Sequence, residues 1–396
     1  MCMEELRMPR RFTLALCAAV FWFSLYLYIP YLTPHLLSMG ISASLTGIIF
    51  AAHAFVQMIA RFPMGIAASR RGTHKQTIVM GMAMTSVSAA VMYWFPSAAM
   101  LCIGNALSGY AGAAYIGFTV VYGQYYPAKQ SDRAMGRLSA IVESGILASF
   151  ILGGFLDAAG GIHLIFLVAC LSGAAGFVLS LFVKDVKLPK STESMSAIRQ
   201  VVSNKSLLLS SILCILLKMI VFGTAFGFSP KLARDIGARG VELGFINALF
   251  IAASVLSSIL VTTKLGRRIG DVRLSTLGFA LLTLYCAILP GIHSIPLFMA
   301  VQFVGGLGYA SLAAIFMSNA TRTLPDSQKS AGQGLYQALN SLGSTLGPIM
   351  IGVFVDLFSY AAAFLAAACV AAVGWILSLY TGAKGLMPEG TRAKES

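Results

Sequence analysis

The chain has 396 residues, of which 58% are apolar and 11% charged, with 28 Lys+Arg against 14 Asp+Glu and a formal net charge of +14. Its mean hydropathy is +0.82, whereas a water-soluble domain carries about 25% charged residues. These figures exclude a soluble enzyme, a nucleic-acid-binding module and a disordered regulator, because lipid has to be the solvent for most of the side chains.

Arg7, Arg10 and Arg11 precede the first apolar run as they would in a secretory leader, yet that run extends over 12–34. The apolar core of a leader is about 7–15 residues long, so a retained first span is expected. Eleven further runs follow near 45–68, 76–95, 98–124, 134–157, 161–183, 207–229, 242–263, 273–290, 296–320, 330–355 and 358–380. They match the roughly 20 residues of a spanning helix and lack the alternation of barrel strands. The expected fold is an all-α membrane protein with twelve transmembrane helices. A hydrophilic stretch divides them six and six, giving an N-terminal bundle (1–183), a linker (184–206) and a C-terminal bundle with a short tail (207–396).

With the N-terminus inside, 23 of the 28 basic residues fall on the inner side, and only Lys231, Arg234 and Arg239 on the other. That asymmetry places both termini and the linker in the cytoplasm, in a multi-pass protein of the inner (cytoplasmic) membrane. The seven cysteines stand singly with no C-x-x-C. They are expected to pack as small apolar groups rather than bind metal.

The two halves repeat each other. In the fifth run Gly136, Gly145 and Gly153-Gly154 have the spacing of Gly334, Gly343 and Ile351-Gly352 in the eleventh, 198 residues on. Asn105-x-x-x-Gly109 in the fourth is matched by Gln302-x-x-x-Gly306 in the tenth, and Arg70-Arg71 by Arg267-Arg268, both 197 residues on. Several runs agreeing on one offset make the chain a tandem of two six-helix halves.

Two parallel halves of this kind are the layout of the major facilitator transporters, and the chain resembles that superfamily over essentially its whole length. Its finer motifs are most similar to the drug/proton antiporter (efflux) families. After the second run, Gly65-Ile66-Ala67-Ala68-Ser69-Arg70-Arg71-Gly72 resembles the family turn G-x-L-A-D-R-x-G, which latches the outward-open state, with Ser69 replacing its acid. The fifth-run spacing resembles the exporter motif G-x8-G-x3-G-P-x2-G-G, with Ser149-Phe150 in place of Gly-Pro. The fourth-run motif R-x-x-Q-G has Asn105 in place of the Arg implicated in proton movement. Gating and packing positions are therefore Gly65, Arg70, Gly72, Gly145, Gly153, Gly154, Gly343, Gly347 and Pro348. A small-residue face permits close helix approach and suits a sliding seam between the halves, or simple tight packing.

Charge at bilayer depth costs about 2.5–3.5 kcal/mol on insertion scales and so points to function. Arg61, Glu143 and Lys218 are the residues concerned, with His53 also titratable. Arg61 and Glu143 lie roughly 13–15 Å in from loop charges at 1.5 Å per residue, at matching depth. They are expected to pair, either as a proton-coupling site with His53 as a relay, or as a fixed ion pair with His53 in the core. The resemblance implies that the first, fourth, seventh and tenth helices line the cavity, which nominates Tyr26, Asn105, Lys218 and Gln302 for substrate binding. Lys218 snorkelling to the surface and ordinary interhelical packing remain open. Asp157 and Asp356 are expected to cap at the outer surface.

No P-loop or nucleophile-elbow motif occurs, so neither ATP, cofactor, metal nor covalent chemistry is expected. The expected function is secondary active transport, with proton-coupled export of a small amphipathic compound by rocking of the halves. Export of an endogenous metabolite such as an opine-type metallophore, an uptake symporter, and a non-transporting membrane sensor are the alternatives. The expected partners are a small-molecule substrate, protons and the lipid bilayer, with no nucleic acid, for a monomer.

Overall fold

The computed structural model describes residues 7–126, 130–185, 202–325 and 328–384. Most of the expected linker and tail lie outside them. Among the described residues every regular element is helical, as hydrocarbon demands when each backbone N–H and C=O must find a partner in its own segment. The spans are α1 (Arg10–Ser38), α2 (Ala43–Ala68), α3 (Lys75–Trp94), α4 (Ala98–Gln124), α7 (Lys205–Asp235), α8 (Gly240–Val261), α9 (Asp271–Gly291), α10 (Ile295–Ala320), α11 (Gly332–Leu357) and α12 (Tyr360–Ala383). Between α4 and α7 one helical stretch, Ser131–Leu181, loses helical geometry only at Gly160 and Gly161. Gly161 adopts φ 64°, a left-handed value open to glycine. The stretch is therefore two spans, α5 (131–159) and α6 (162–181), which brings the spans among the described residues to twelve.

Two compact units result, Met1–Leu32 with Ala52–Thr192, and Thr33–Ala51 with Glu193–Ser396. The short hairpin Thr33–Ala51 belongs to the second unit through backbone packing. A Cβ on Gly47 would overlap the Pro348 carbonyl oxygen, and one on Gly352 the Ala43 carbonyl oxygen.

The core of the first unit is built on Leu14, Cys17, Phe21, Ile78, Met82, Phe118 and Val121, all buried. Large apolar side chains also face outward, among them Phe62, Leu171, Leu256 and Ile376. In water such surface would aggregate; here it meets lipid tails. Several buried hydroxyls are satisfied within their own helices: Ser149 donates to the Ile146 carbonyl (2.7 Å) and Thr345 to the Ser341 carbonyl (2.8 Å), which lets small polar residues enter the bilayer at little cost.

The glycines expected at a sliding seam pack instead inside one unit each. A Cβ on Gly145 would lie 2.5 Å from the Ala19 carbonyl oxygen, and one on Gly153 3.0 Å from that of Leu27, so both seat α5 on α1. Gly343 and Gly347 seat α11 on α7 against the carbonyls of Ile215 and Met219 in the same way. The repeated spacing thus records a helix–helix contact used twice. Gly154 is buried, Gly72 closes its turn at φ 70°, Gly65 faces Ile116, and Arg70 is exposed at the end of its helix.

Candidate functional site

Two of the spans are interrupted near their middles. The helix of α1 runs Arg7–Tyr26, breaks at Leu27 and Tyr28, and resumes as Ile29–Ser38. In α7 the α-helix Lys205–Gly223 gives way to a π-helical turn, Thr224–Phe228, before Ser229–Asp235. Such interruptions cluster at functional sites and free backbone groups that need other partners.

Each interruption is tied down by a polar side chain of the repeat. In the first unit the Tyr28 hydroxyl lies 3.0 Å from Asn105 Oδ1 and 2.9 Å from Ser108 Oγ. Ser108 gives its own hydrogen to the Asn105 carbonyl (2.7 Å), so its lone pairs face Tyr28 and His53, whose Nδ1 sits 2.7 Å away. In the second unit the Tyr285 hydroxyl donates to Gln302 Oε1 (3.2 Å), and Gln302 Nε2 donates to Ser229 Oγ (2.6 Å), just past the π turn. Asn105 and Gln302 are both 0% exposed. These two expected substrate ligands present no surface to a cargo; they hold broken helices in register.

The same helices explain the glycine motif. A Cβ on Gly109 would overlap the His53 carbonyl oxygen, and one on Gly112 would lie 2.6 Å from Gln57 Nε2. In the second half a Cβ on Gly306 would overlap the Phe250 carbonyl oxygen. Without side chains at these crossings, α4 touches α2 and α10 touches α8 at backbone distance.

The charged candidates of the first unit converge on an aromatic face. Trp22 packs against Tyr26 (centroids 5.3 Å apart) and edge-on to Tyr115 (5.1 Å). Tyr26 continues to Phe150 (6.2 Å). Arg61 lies within electrostatic range of His53, Tyr26 and Tyr115, and Tyr115 is also within range of Glu143. Trp22, Tyr26, Arg61, Tyr115 and Glu143 are all half-buried, with edges still open.

In the second unit Lys218 Nζ donates to the Tyr309 hydroxyl (2.7 Å) and sits 4.9 Å from that ring and 5.4 Å from the ring of Phe222. The aromatic group continues through Phe226 and Phe250, with ring spacings of 5.4 and 5.5 Å. Lys218 is thus turned onto aromatic rings and does not snorkel. A cation above ring faces gains about 0.5–2 kcal/mol. Tyr309 and Ser108 escaped sequence reasoning, since an uncharged tyrosine or serine in an apolar run carries no signal of its partner.

Known proteins resemble the chain throughout. The family model of the Major Facilitator Superfamily matches residues 14–232 and again 211–395. A multi-drug resistance efflux pump PmrA homolog of Lactococcus lactis is 24% identical over 358 residues, 86% of this chain and 87% of that protein. The multidrug resistance protein MdtG of Escherichia fergusonii is 24% identical, covering 87% of each chain, and the quinolone resistance protein NorA of Staphylococcus aureus 24%, covering 86% and 88%. Among solved structures, an inward-facing, unoccupied bacterial homolog of the human lysosomal transporter Spinster matches with TM-score 0.78 at 13% identity, covering 96% of this chain and 98% of that one. The nucleoside transporter NupG matches with TM-score 0.76 at 12% identity, covering 94% and 99%. The chain belongs to the Major Facilitator Superfamily and is a membrane transporter, not an enzyme.

Proposed function

We propose that the protein is a proton-coupled exporter of small amphipathic compounds, working as a monomer in a bacterial cytoplasmic membrane by alternating access, with both termini inside. The observation that carries this reading is the placement of Glu143 and Arg61 around Tyr115, beside the open aromatic edge of Trp22 and Tyr26. A carboxylate that exchanges an arginine partner for water has its proton affinity moved by pairing in one direction and by desolvation in the other. An apolar face with few polar anchors suits flat amphipathic cargo. The relatives named as a multi-drug resistance efflux pump homolog and a quinolone resistance protein support the same direction of transport. His53, close to Ser108 and within range of Arg61, supports a relay role. Tyr26 and Lys218 are the cargo contacts of this reading.

A second reading is favoured by Lys218, whose ammonium suits a cargo with a carboxylate, such as an endogenous amino-acid-derived chelator. Flux of a fluorescent amphipathic cation and of a carboxylated metabolite in proteoliposomes, with and without an imposed pH gradient, tests both. Gradient-dependent movement of the first cargo supports drug export. Movement of the second alone supports the metabolite reading, and gradient-independent flux of both removes proton coupling.

A further inference from the structure

At the end of the first unit where α1 begins and α4 finishes, two arginines converge on one tyrosine. Arg11 donates through Nε (3.1 Å) and Nη2 (2.8 Å) to the Tyr125 carbonyl, and its Cζ lies 4.1 Å from the centre of the Tyr126 ring. Arg137 reaches the same residue from α5, with Nη1 3.5 Å from the Tyr126 hydroxyl and Cζ 5.9 Å from the ring centre. The hydroxyl is also 3.2 Å from that of Tyr122. Tyr126 itself is only 8% exposed, whereas Arg137 is exposed.

Among the described residues no carboxylate is placed against either guanidinium; the ion pairs formed lie elsewhere, at Lys231–Asp235 and Arg322–Asp271. Asp185 is engaged by Thr73. Each guanidinium has five N–H donors in a planar fork. Arg11 spends two on a backbone carbonyl, and Arg137 one on a phenol. Two like charges at one ring, with donors unspent, have the fork geometry that suits an oxyanion. The site lies where spans Arg10–Ser38 and 134–159 start, the level at which phospholipid phosphates sit.

We propose that Arg11 and Arg137, set on Tyr126, bind the phosphate of an acidic phospholipid headgroup in the leaflet that this end faces. The ring holds the two cations side by side, and the phosphate accepts their outward N–H groups when it binds. Attraction of acidic lipid is worth roughly fivefold in affinity for each basic residue near the surface.

The test uses the full chain in detergent, titrated with dioleoyl phosphatidylglycerol, dioleoyl phosphatidylcholine or inorganic phosphate, with thermal midpoint and native mass spectrometry as readouts. Phosphatidylglycerol is expected to raise the midpoint and remain bound, and phosphatidylcholine to do so far less. Arg137→Gln should weaken phosphatidylglycerol binding about fivefold and Arg137→Lys less, while Arg268→Gln, at an exposed basic position elsewhere, leaves it unchanged. Should the double variant R11Q/R137Q fail to fold, the single Arg137 variants decide the matter. Equal responses to the two lipids would overturn the proposal. So would a phosphate titration that reproduces the shift, which makes the site one for a free anion, or an Arg268→Gln loss as large as that of Arg137→Gln, which makes the attraction diffuse.

Discussion

The carboxylate of Asp356, at the end of α11, accepts the backbone hydrogens of Ala43 and Ser44, at 2.9 and 2.7 Å, and so caps the first turn of α2. These are N–H groups that a helix cannot satisfy internally, and an anion there also meets the positive end of the helix dipole. Asp356→Ala is expected to cost about 1 kcal/mol, in the usual range for a lost cap. Hydrogen exchange of the amides at 43–46 should accelerate accordingly, with Asp356→Asn in between. Unchanged exchange in the alanine variant would show that water replaces the carboxylate without loss.

Glu143→Gln keeps the shape of the side chain and removes its titration. Gradient-driven flux is expected to vanish while cargo counterflow, which needs no net proton movement, continues at near the parental rate. Parental gradient-driven flux in that variant would reduce the Arg61 and Glu143 arrangement to a structural one.

Lys218→Ala removes an ammonium from the Tyr309 hydroxyl and two ring faces. A hydrogen bond to a charged group contributes about 1.5–3 kcal/mol. Binding of a carboxylated cargo should therefore weaken on the order of tenfold or more, and that of a neutral analogue by much less. Equal losses for the two cargoes would mark Lys218 as a packing residue.

Asn105→Leu and Gln302→Leu test the scaffold. Gln302→Leu takes the side-chain acceptor from the buried Tyr285 hydroxyl, at about 1–3 kcal/mol, whereas Asn105→Leu leaves the Tyr28 hydroxyl on Ser108 alone and should cost less. Thermal midpoints should fall in both, and affinities for different cargoes should shift together. A change confined to one cargo would make either residue a ligand after all.

Backbone contact makes a sharper prediction for glycines. Gly109→Ala and Gly306→Ala place a methyl group on a carbonyl oxygen, whereas Gly136 and Gly334 have nothing within 4 Å of a Cβ. The first pair should lose most folded protein in a fluorescence-detected sizing assay, and the second pair should retain it.

Much of the architecture is legible in the residues because lipid imposes it. A run of about twenty apolar residues has one way to satisfy its backbone, so twelve runs become twelve spans, and the gap in hydropathy near 157–161 falls beside the turn at Gly160 and Gly161. The breaks in α1 and α7 were not legible, since Leu27, Tyr28 and Thr224–Phe228 are as apolar as their neighbours and hydropathy is blind to backbone pitch. The repeat located Asn105 and Gln302 as equivalent, yet it could not say whether they face a cavity or a neighbouring helix. Glycine spacing posed the same ambiguity: it reports close approach but not the partner, which proved to be α1 for α5 and α7 for α11.

Asn105 and Gln302 secure the interrupted helices from inside, while Trp22, Tyr26 and Phe222 supply the aromatic edges without taking part in that bracing. Frame and upholstery are thus carried by different side chains. A lineage of such proteins can exchange the rings to suit new cargoes while leaving the braces untouched, so divergence in what is carried proceeds without first unravelling the bundle.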